Sequence, residues 1–204
     1  MAKFSSYRNI IFDFGNVLIE WDPRRIFRDM IPAEELESFM QNVWKDEWNG
    51  NLDRGVSLAE NERSMKEKYP QHSRYIAAYH ARWYDSLGEE NQESVALLSQ
   101  LQRAGYSTYG LSNWSAETFP VTRRQHPFFN SFDGIVLSGE EKVCKPDPRI
   151  YAILLERYRL HPRQCIFIDD RQENLDAAEK MGITPILFTS AARVRAELES
   201  LGVL

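Results

Sequence analysis

The chain has 204 residues, of which 43% are hydrophobic and 27% are charged, and its formal net charge is −5. This composition is typical of an ordinary globular protein and excludes a disordered or fibrous one. The negative charge argues against a nucleic-acid surface, because such a surface needs basic side chains to neutralise phosphates. We therefore expect no nucleic-acid partner.

The sequence also argues against a membrane or secreted protein. No segment approaches the roughly 20 apolar residues that a membrane-spanning helix needs, and the N-terminal "MAKFSSYRN" lacks the apolar core of a signal peptide. The two cysteines, Cys144 and Cys165, are too few for a disulfide framework. We expect reduced thiols, a cytoplasmic location and no membrane partner.

Short apolar runs separated by helical patterns predict the main fold. The runs indicate buried strands at 9–14, 107–112, 134–138, 165–170 and 184–188. Most are apolar throughout, which is typical of parallel strands covered on both faces. Helical patterns between them end at Gly105 and Gly182, and another helix begins at Asp147 and Pro148. Strand–helix alternation from residue 90 onward predicts a doubly wound α/β fold with a parallel sheet.

One long segment interrupts this alternation after the first strand. Residues 20–87 are rich in helix formers, as in "PAEELESFMQNVW", and show no convincing strand. A connection this long is uncommon within an α/β unit, so we interpret it as an all-helical insertion. Because ligands bind at the carboxyl ends of parallel strands, we expect the insertion to cover that edge as a small cap. The predicted domains are an α/β core of residues 1–19 and 88–204 and a helical cap of residues 20–87.

Chemically useful side chains follow the predicted strands at the edge that the cap should cover. In chain order they are Asp13, Ser112, Asn113, Lys145, Asp169 and Asp170. Taken singly, each has a common structural explanation, such as a helix cap or a turn residue. Because the carboxyl ends of parallel strands converge, however, we expect these residues to meet in space. Jointly they indicate a functional site.

The residue types of this site suit phosphoryl chemistry. Two carboxylates brought together repel unless a cation lies between them, and hard oxygen ligands suit Mg²⁺. The metal and Lys145 would neutralise a phosphate, while Ser112 and backbone N–H groups would bind its oxygens. One carboxylate kept free of full chelation can attack phosphorus and form an aspartyl-phosphate, which water then hydrolyses.

Four motifs in this order make the chain resemble the haloacid dehalogenase-like (HAD) superfamily over essentially its full length. The motifs are "FDFGNVL", "LSN", "KPDPRIY" and "FIDDRQENLDAA". The insertion after the first strand also resembles the smaller cap type of that superfamily. The resemblance implies that Asp13 is the nucleophile and a metal ligand, and that Asp170 is the second acidic ligand with Asp169 as its support.

The resemblance further implies how the substrate is bound. It makes Ser112 and Asn113 the phosphate contacts and Lys145 the catalytic cation that stabilises the transferred group. We therefore predict a hydrolase that is a Mg²⁺-dependent phosphatase and acts on a small phosphorylated metabolite, with a sugar phosphate as one candidate. Nothing in the sequence identifies the substrate or the oligomeric state.

Gly15 departs from the pattern of the phosphatases in this superfamily. They usually carry a second aspartate two residues after the nucleophile, which binds the metal through its backbone carbonyl and acts as general acid and base. The carbonyl survives at Gly15, so this residue remains a predicted metal ligand, but the proton donor does not survive. General acid catalysis is typically worth about 10²–10⁴-fold, so the loss is serious without being fatal.

Three explanations of Gly15 stay open. The leaving group could depart with little protonation, as in similar bacterial sugar-1-phosphate phosphatases with Gly-Asn after the nucleophile, or Asp22, Glu47 or His80 could supply the proton. The protein could instead be a 2-haloacid dehalogenase, which needs neither a general acid nor Mg²⁺, although the acidic pair would then repel the haloacid carboxylate. It could also bind a phosphorylated ligand or a partner without catalysis.

The insertion is rich in aromatic residues, including Trp21, Trp44, Trp48 and Trp83. A small helical insertion needs large side chains to bury enough surface, so we expect most of them to form its core. The polar segment "DEWNGNLDRG", residues 46–55, predicts a loop that faces the substrate or acts as a hinge. Trp114 should lie close to the phosphate site, because it follows Asn113.

Overall fold

A computed structural model of the protein describes residues 6–204. Its strands are β1 Asn9–Phe12, β2 Ile19–Trp21, β3 Leu87–Glu90, β4 Ser107–Ser112, β5 Gly134–Leu137, β6 Cys165–Asp169 and β7 Thr184–Leu187. Five of them form a parallel sheet in the spatial order β5-β4-β1-β6-β7. All five predicted strands are therefore confirmed, and they form the predicted parallel sheet.

The structure confirms the helices predicted to end near Gly105 and Gly182 and the one predicted to begin at Pro148. It adds two short helices after residue 90, Phe119–Gln125 and Ser138–Glu141, that the sequence patterns do not predict. The α-helices are α1 Arg24–Phe27, α2 Ala33–Asn42, α3 Glu47–Asp53, α4 Leu58–Lys68, α5 Ser73–Ala81, α6 Gln92–Arg103, α7 Phe119–Gln125, α8 Ser138–Glu141, α9 Pro148–Arg157, α10 Gln172–Lys180 and α11 Ala191–Ser200. The Asp147 side chain caps α9 by accepting a hydrogen bond from the N–H of Arg149, with Pro148 at the first helical position. No helix of the described chain is both long enough and apolar enough to span a bilayer.

Both faces of the sheet are covered by helices. Ile10 and Phe12 of β1 pack into one hydrophobic cluster with residues of α6 and α11, while Ile11 packs into a second cluster with residues of α9 and α10. Neighbouring residues of a strand point to opposite faces, so a strand covered on both sides is apolar at every position. This arrangement confirms the doubly wound α/β fold.

The order of the strands creates a switch point at β1. From β1 the chain moves outward through β4 to β5 and then returns to β6, on the other side of β1. In open α/β sheets, ligands bind outside the carboxyl ends of the strands at such a point. Asp13 directly follows β1 and Asp169 ends β6, so both lie at this position.

The helices α1–α5 lie between β2 and β3, which pair as a separate antiparallel two-stranded sheet. The expectation that the segment 20–87 holds no strand is wrong at its two ends. Three- and four-residue strands are too short to show a period in the sequence.

Phe27 and Trp48 of the insertion belong to the same hydrophobic cluster as Phe12 of the sheet. The division into a core domain and a cap domain stays a prediction.

Candidate active site

The carboxyl ends of β1, β4 and β6 bring the predicted site residues together. β1 and β6 are paired with Phe12 opposite Ile168, and the N–H of Asp13 donates to the Ile168 carbonyl at 2.9 Å. Asp13 therefore lies beside Asp169 at the end of β6. Ser112 ends β4, the neighbour of β1 on its other side.

One carboxylate oxygen of Asp13 takes all the contacts of this side chain. Its Oδ1 accepts hydrogen bonds from the N–H of Phe14 at 2.7 Å and from Ser112 Oγ at 2.8 Å, and it lies 2.9 Å from Lys145 Nζ. Oδ2 has no hydrogen-bond partner among residues 6–204. Burial raises the pKa of Asp13 to about 6, and the charge of Lys145 opposes this shift. Oδ2 is thus the oxygen that is free to react or to bind a cation.

Lys145 is a buried cation between two carboxylates. Its side chain is 1% exposed, and Nζ lies 2.9 Å from Asp13 Oδ1 and 2.6 Å from Asp169 Oδ2. Burial alone would lower the pKa of Lys145, but the charges of Asp13 and Asp169 outweigh it and raise the pKa. The ammonium group therefore stays charged, and one of its three N–H donors remains for a ligand.

Asn113 clamps the main chain of Lys145. Its Nδ2 donates to the Lys145 carbonyl at 3.0 Å, and its Oδ1 accepts from the Lys145 N–H at 2.8 Å. This reciprocal pair fixes the loop that carries the lysine. The structure thus gives Asn113 a positioning role that the sequence did not indicate, and its contact with phosphate stays a prediction.

The two adjacent aspartates have different surroundings. Asp169 is fully buried and accepts hydrogen bonds from Asn174 Nδ2 at 2.9 and 3.1 Å, from the N–H of Arg171 at 2.9 Å and from Lys145 Nζ. Asp170 is half-buried and its side chain bonds to no other residue of the described chain. Burial and the neighbouring Asp169 raise the pKa of Asp170. Asp169 is therefore saturated by protein donors, whereas Asp170 is available to a ligand.

These carboxylates form a cluster with more negative than positive charge. Single oxygens of Asp13, Asp169 and Asp170 all lie within 4.8 Å of one another. Lys145 balances only one of the three charges when all are ionised, and such crowding is unfavourable unless a further cation joins the group. The candidate metal ligands are hard carboxylate oxygens. Asp13 and Asp170 each keep an oxygen without a protein partner in the described chain, so the group fits a divalent cation such as Mg²⁺.

The turn after Asp13 leaves open space at Gly15. A Cβ atom built on this glycine meets no atom of the described chain within 4 Å, and its φ is not positive. The following residue, Asn16, adopts a left-handed φ of 59°, which asparagine tolerates, and its Oδ1 accepts a hydrogen bond from the Trp21 N–H at 3.0 Å. Packing therefore does not impose the glycine, because the position has room for a Cβ atom.

A cavity of about 740 Å³ joins the strand ends to the insertion. Its lining includes Asp13, Gly15, Ser112, Asn113, Lys145 and Asp170. The structure thus brings these six predicted residues to one cavity, whereas Asp169 is fully buried and does not line it, and the individual roles stay predictions. Trp114 also lines this cavity, as expected from its place in the sequence. Trp21, Trp44 and Trp83 line it as well, whereas Trp48 is buried in the hydrophobic core.

Residues 46–55 do not form the predicted loop. Glu47–Asp53 is helix α3, held against the core by Trp48 and Leu52, which are both fully buried. This pair at i and i+4 stabilises the helix in spite of the glycine within it. The next face of α3 carries Asn49 and Asp53, which line the cavity. The segment faces the cavity, but as a helix.

None of the three candidate proton donors lines the cavity. Asp22 accepts a hydrogen bond from the Arg24 N–H, and Glu47 pairs with Lys68 on the surface. His80 is buried, and burial lowers its pKa. Sequence reasoning missed Asp53, although the i, i+4 spacing of Trp48 and Leu52 could have shown that Asn49 and Asp53 share a face.

Fold and site together define a doubly wound α/β protein with a carboxylate–lysine centre at the switch point of its sheet. The sequence model of the haloacid dehalogenase-like hydrolases matches residues 7–182, and the chain belongs to this family. The recognition made from the four motifs is confirmed at this level.

Individual relatives differ in what they are named for. The sesquiterpene phosphatase astK of Aspergillus oryzae is 25% identical over 198 residues, which cover 97% of this chain and 97% of that protein. The (S)-2-haloacid dehalogenase 4A of Burkholderia cepacia is 27% identical over 94 residues, 46% of this chain and 41% of that protein. A HAD family enzyme of Bacteroides thetaiotaomicron, in complex with magnesium and inorganic phosphate, shares the fold with a TM-score of 0.67 and 24% identity, over 90% of this chain and 95% of that chain.

Proposed function

We propose that the protein is a Mg²⁺-dependent phosphatase that hydrolyses a small phosphorylated metabolite through an aspartyl-phosphate intermediate. The observation that carries the proposal is the division of the carboxylate oxygens. Lys145 forms ion pairs with Asp13 Oδ1 and with Asp169, while Asp13 Oδ2 and the Asp170 carboxylate have no protein partner in residues 6–204. In a hydrolase of this family, that division leaves a nucleophile and a cation site side by side.

Asp13, Asp170 and the backbone carbonyl of Gly15 would hold the magnesium ion. When bound, the ion would neutralise charge on the phosphate group and polarise it. Asp169 would support the site from behind, through its bonds to Lys145 and Asn174. The magnesium and phosphate in the Bacteroides enzyme support this assignment.

The side chains of this protein divide the reaction between them. Asp13 attacks phosphorus through Oδ2, while its Oδ1 is kept in place by Ser112 and Lys145. The remaining N–H of the Lys145 ammonium binds a phosphoryl oxygen and stabilises charge in the transition state. Ser112 and Asn113 line the phosphate site, and a phosphoryl oxygen would accept hydrogen bonds from the Ser112 hydroxyl, in place of Asp13 Oδ1, and from the second amide N–H of Asn113. Water then attacks the aspartyl-phosphate and regenerates Asp13.

The cavity supports a small metabolite with a polar carbon skeleton, such as a sugar phosphate. Trp21 and Trp44 offer aromatic faces to a ring, and Glu37 and Gln41 offer hydrogen bonds to hydroxyl groups. The Gly-Asn pair after the nucleophile is also similar to that of sugar-1-phosphate phosphatases. The name of the relative from Aspergillus oryzae supports phosphatase chemistry without identifying the substrate.

Metal-independent 2-haloacid dehalogenase activity is the second candidate. It is favoured by Gly15, since displacement of halide needs no general acid, and by the Burkholderia relative. The free carboxylate of Asp170 in the cavity opposes it, because this charge would repel the carboxylate of a haloacid. A protein that only binds a phosphorylated ligand is the third alternative.

Three assays distinguish these candidates. We expect release of phosphate from p-nitrophenyl phosphate with Mg²⁺ and none with excess EDTA. Release of chloride from 2-chloropropionate in EDTA would instead establish the dehalogenase. Absence of turnover on both a phosphate-ester panel and a haloacid panel would leave ligand binding as the function.

Asp170→Asn is expected to weaken Mg²⁺ binding by more than about 10-fold, because substituting even a residue that only hydrogen-bonds to a metal ligand lowers metal affinity by at least about that factor. Calorimetric titration of the substrate-free protein with Mg²⁺ measures the dissociation constant, independently of activity. Asp176→Asn is the matched control, because Asp176 is exposed on α10 and bonds only to Gln172. Equal Mg²⁺ affinity in the two variants would remove Asp170 from the metal site.

A further inference from the structure

We propose that Asp53 is the general acid and base of the reaction, supplied by helix α3 in place of the aspartate that is absent at Gly15. The inference rests on the proposed phosphatase function. It answers the question that Gly15 raises, because the proton comes from the insertion instead of from the loop after the nucleophile.

Asp53 and Gly15 line the same cavity as Asp13 and Lys145. The space beside Gly15 contains no atom of the described chain within 4 Å of a Cβ position, so a leaving group can occupy it. An acid that protonates this leaving group must come from another wall of the cavity. Asp53 stands on the wall that α3 forms.

Asn49 orients the carboxyl group of Asp53. Tyr79 Oη and Trp83 Nε1 both donate to Asn49 Oδ1, at 2.8 and 3.0 Å. Because an indole N–H can only donate, the amide oxygen must face Trp83 and the amide nitrogen must face Asp53. Asn49 Nδ2 then donates to Asp53 Oδ2 at 2.9 Å. Asp53 Oδ1 has no partner in the described chain and remains for a substrate oxygen.

The end of α3 is fixed against the loops of the sheet. Cys144, the residue directly before Lys145, donates a hydrogen bond from its thiol to the Asp53 carbonyl at 3.3 Å. Gly55 has a φ of +85°, and a Cβ at this position would lie 2.6 Å from the Gly139 carbonyl. These close backbone contacts set the position of Asp53 relative to the loop of the catalytic lysine.

The protonation of Asp53 suits this role. Burial raises the pKa of Asp53 to about 7; the Asn49 hydrogen bond and the Arg54 charge oppose this shift, and the Asp13 charge adds to it. A carboxyl group with a pKa near the working pH can both donate and accept a proton. The charged or titratable groups that face it, from its own and neighbouring elements, are Arg54, Tyr79, Cys144, Lys145 and Asp13.

The two half-reactions balance with this residue. In the first, the bond from Asp13 Oδ2 to phosphorus forms and the bond from phosphorus to the leaving oxygen breaks. That oxygen keeps the electron pair and takes the proton of Asp53. In the second, water attacks phosphorus, its proton passes to Asp53, and the bond to Asp13 breaks. The acid form of Asp53 is thereby restored.

The test compares single-turnover rates of alcohol release from glycerol 2-phosphate, a poor leaving group, and p-nitrophenyl phosphate, a good one. For Asp53→Asn we expect a loss of about 10²-fold on glycerol 2-phosphate and less than about 3-fold on p-nitrophenyl phosphate. Asp53→Ser keeps an acceptor for Asn49 and should show the same selective loss. This second variant provides the test if Asp53→Asn does not fold. Asp85→Asn is the control, because Asp85 is exposed and pairs with Arg82 outside the cavity.

Two further readouts belong to the acid itself. The rate on glycerol 2-phosphate should fall as the pH rises through about 7, because Asp53 loses its proton there, and this fall should vanish in Asp53→Asn. Adding Gly15→Asp to Asp53→Asn should restore the rate. Equal losses on both esters, or no loss on glycerol 2-phosphate, would overturn the role of Asp53 alone. A wild-type protein inert on both esters would overturn the phosphatase function itself.

Discussion

Asp13→Asn is expected to lower the turnover of phosphate esters by about 10⁶-fold, the size of loss found when the serine nucleophile of a protease is removed. The amide cannot form the acyl-phosphate bond. Its oxygen can still accept the hydrogen bonds of Phe14 and Ser112, so the fold should remain intact. Phosphate release and acid-quenched trapping of the phosphoenzyme measure the effect.

The control for this substitution is Asp176→Asn, which exchanges the same groups on the surface of α10. Circular dichroism melts should show both variants folded. A phosphorylated protein recovered from Asp13→Asn, or turnover near that of the wild type, would show that another residue is the nucleophile.

Lys145→Met is expected to lower the free energy of unfolding by about 3–5 kcal/mol in EDTA, the usual effect of breaking a buried ion pair. The lysine side chain is 1% exposed and lies within 3 Å of Asp13 and Asp169. Methionine fills similar volume but leaves both buried carboxylates without their shared cation. Urea denaturation gives the change in stability, and turnover should be lost as well, because the phosphoryl group loses its ammonium partner.

Lys180→Met is the matched control, since this lysine is exposed at the end of α10. Its stability should stay within about 0.5 kcal/mol of the wild type, as is usual for surface substitutions. Equal unfolding midpoints for the two variants would contradict the structural role of Lys145.

The main sheet could be predicted because most of its strands are largely apolar runs without alternation, a consequence of burial on both faces. β2 and β3 could not, since a three-residue strand such as Ile19–Trp21 is too short for the two-residue alternation of a strand to be recognised. Helix α3 was missed for another reason. Gly50 and several polar residues favour a loop locally, and only the packing of Trp48 and Leu52 decides for a helix.

The candidate site, like the fold, could be predicted from the sequence only in part. Residues at the carboxyl ends of parallel strands could be placed together, because sheet topology alone determines that Asp13 and Asp169 are neighbours. The clamp that Asn113 forms on Lys145 depends on loop geometry that no periodicity encodes. The spacing of Trp48 and Leu52 could show that Asn49 and Asp53 share a helix face, but what this face contacts depends on how the insertion docks over the sheet.

Helix α3 separates two tasks between its two sides. Trp48 and Leu52 anchor it by burial, while Asn49 and Asp53 point toward the ligand space, and the four positions alternate along one short stretch of chain. The packing of Trp48 and Leu52 that anchors the insertion therefore also places the proposed acid, so a change that loosens this anchor would displace Asp53 as well.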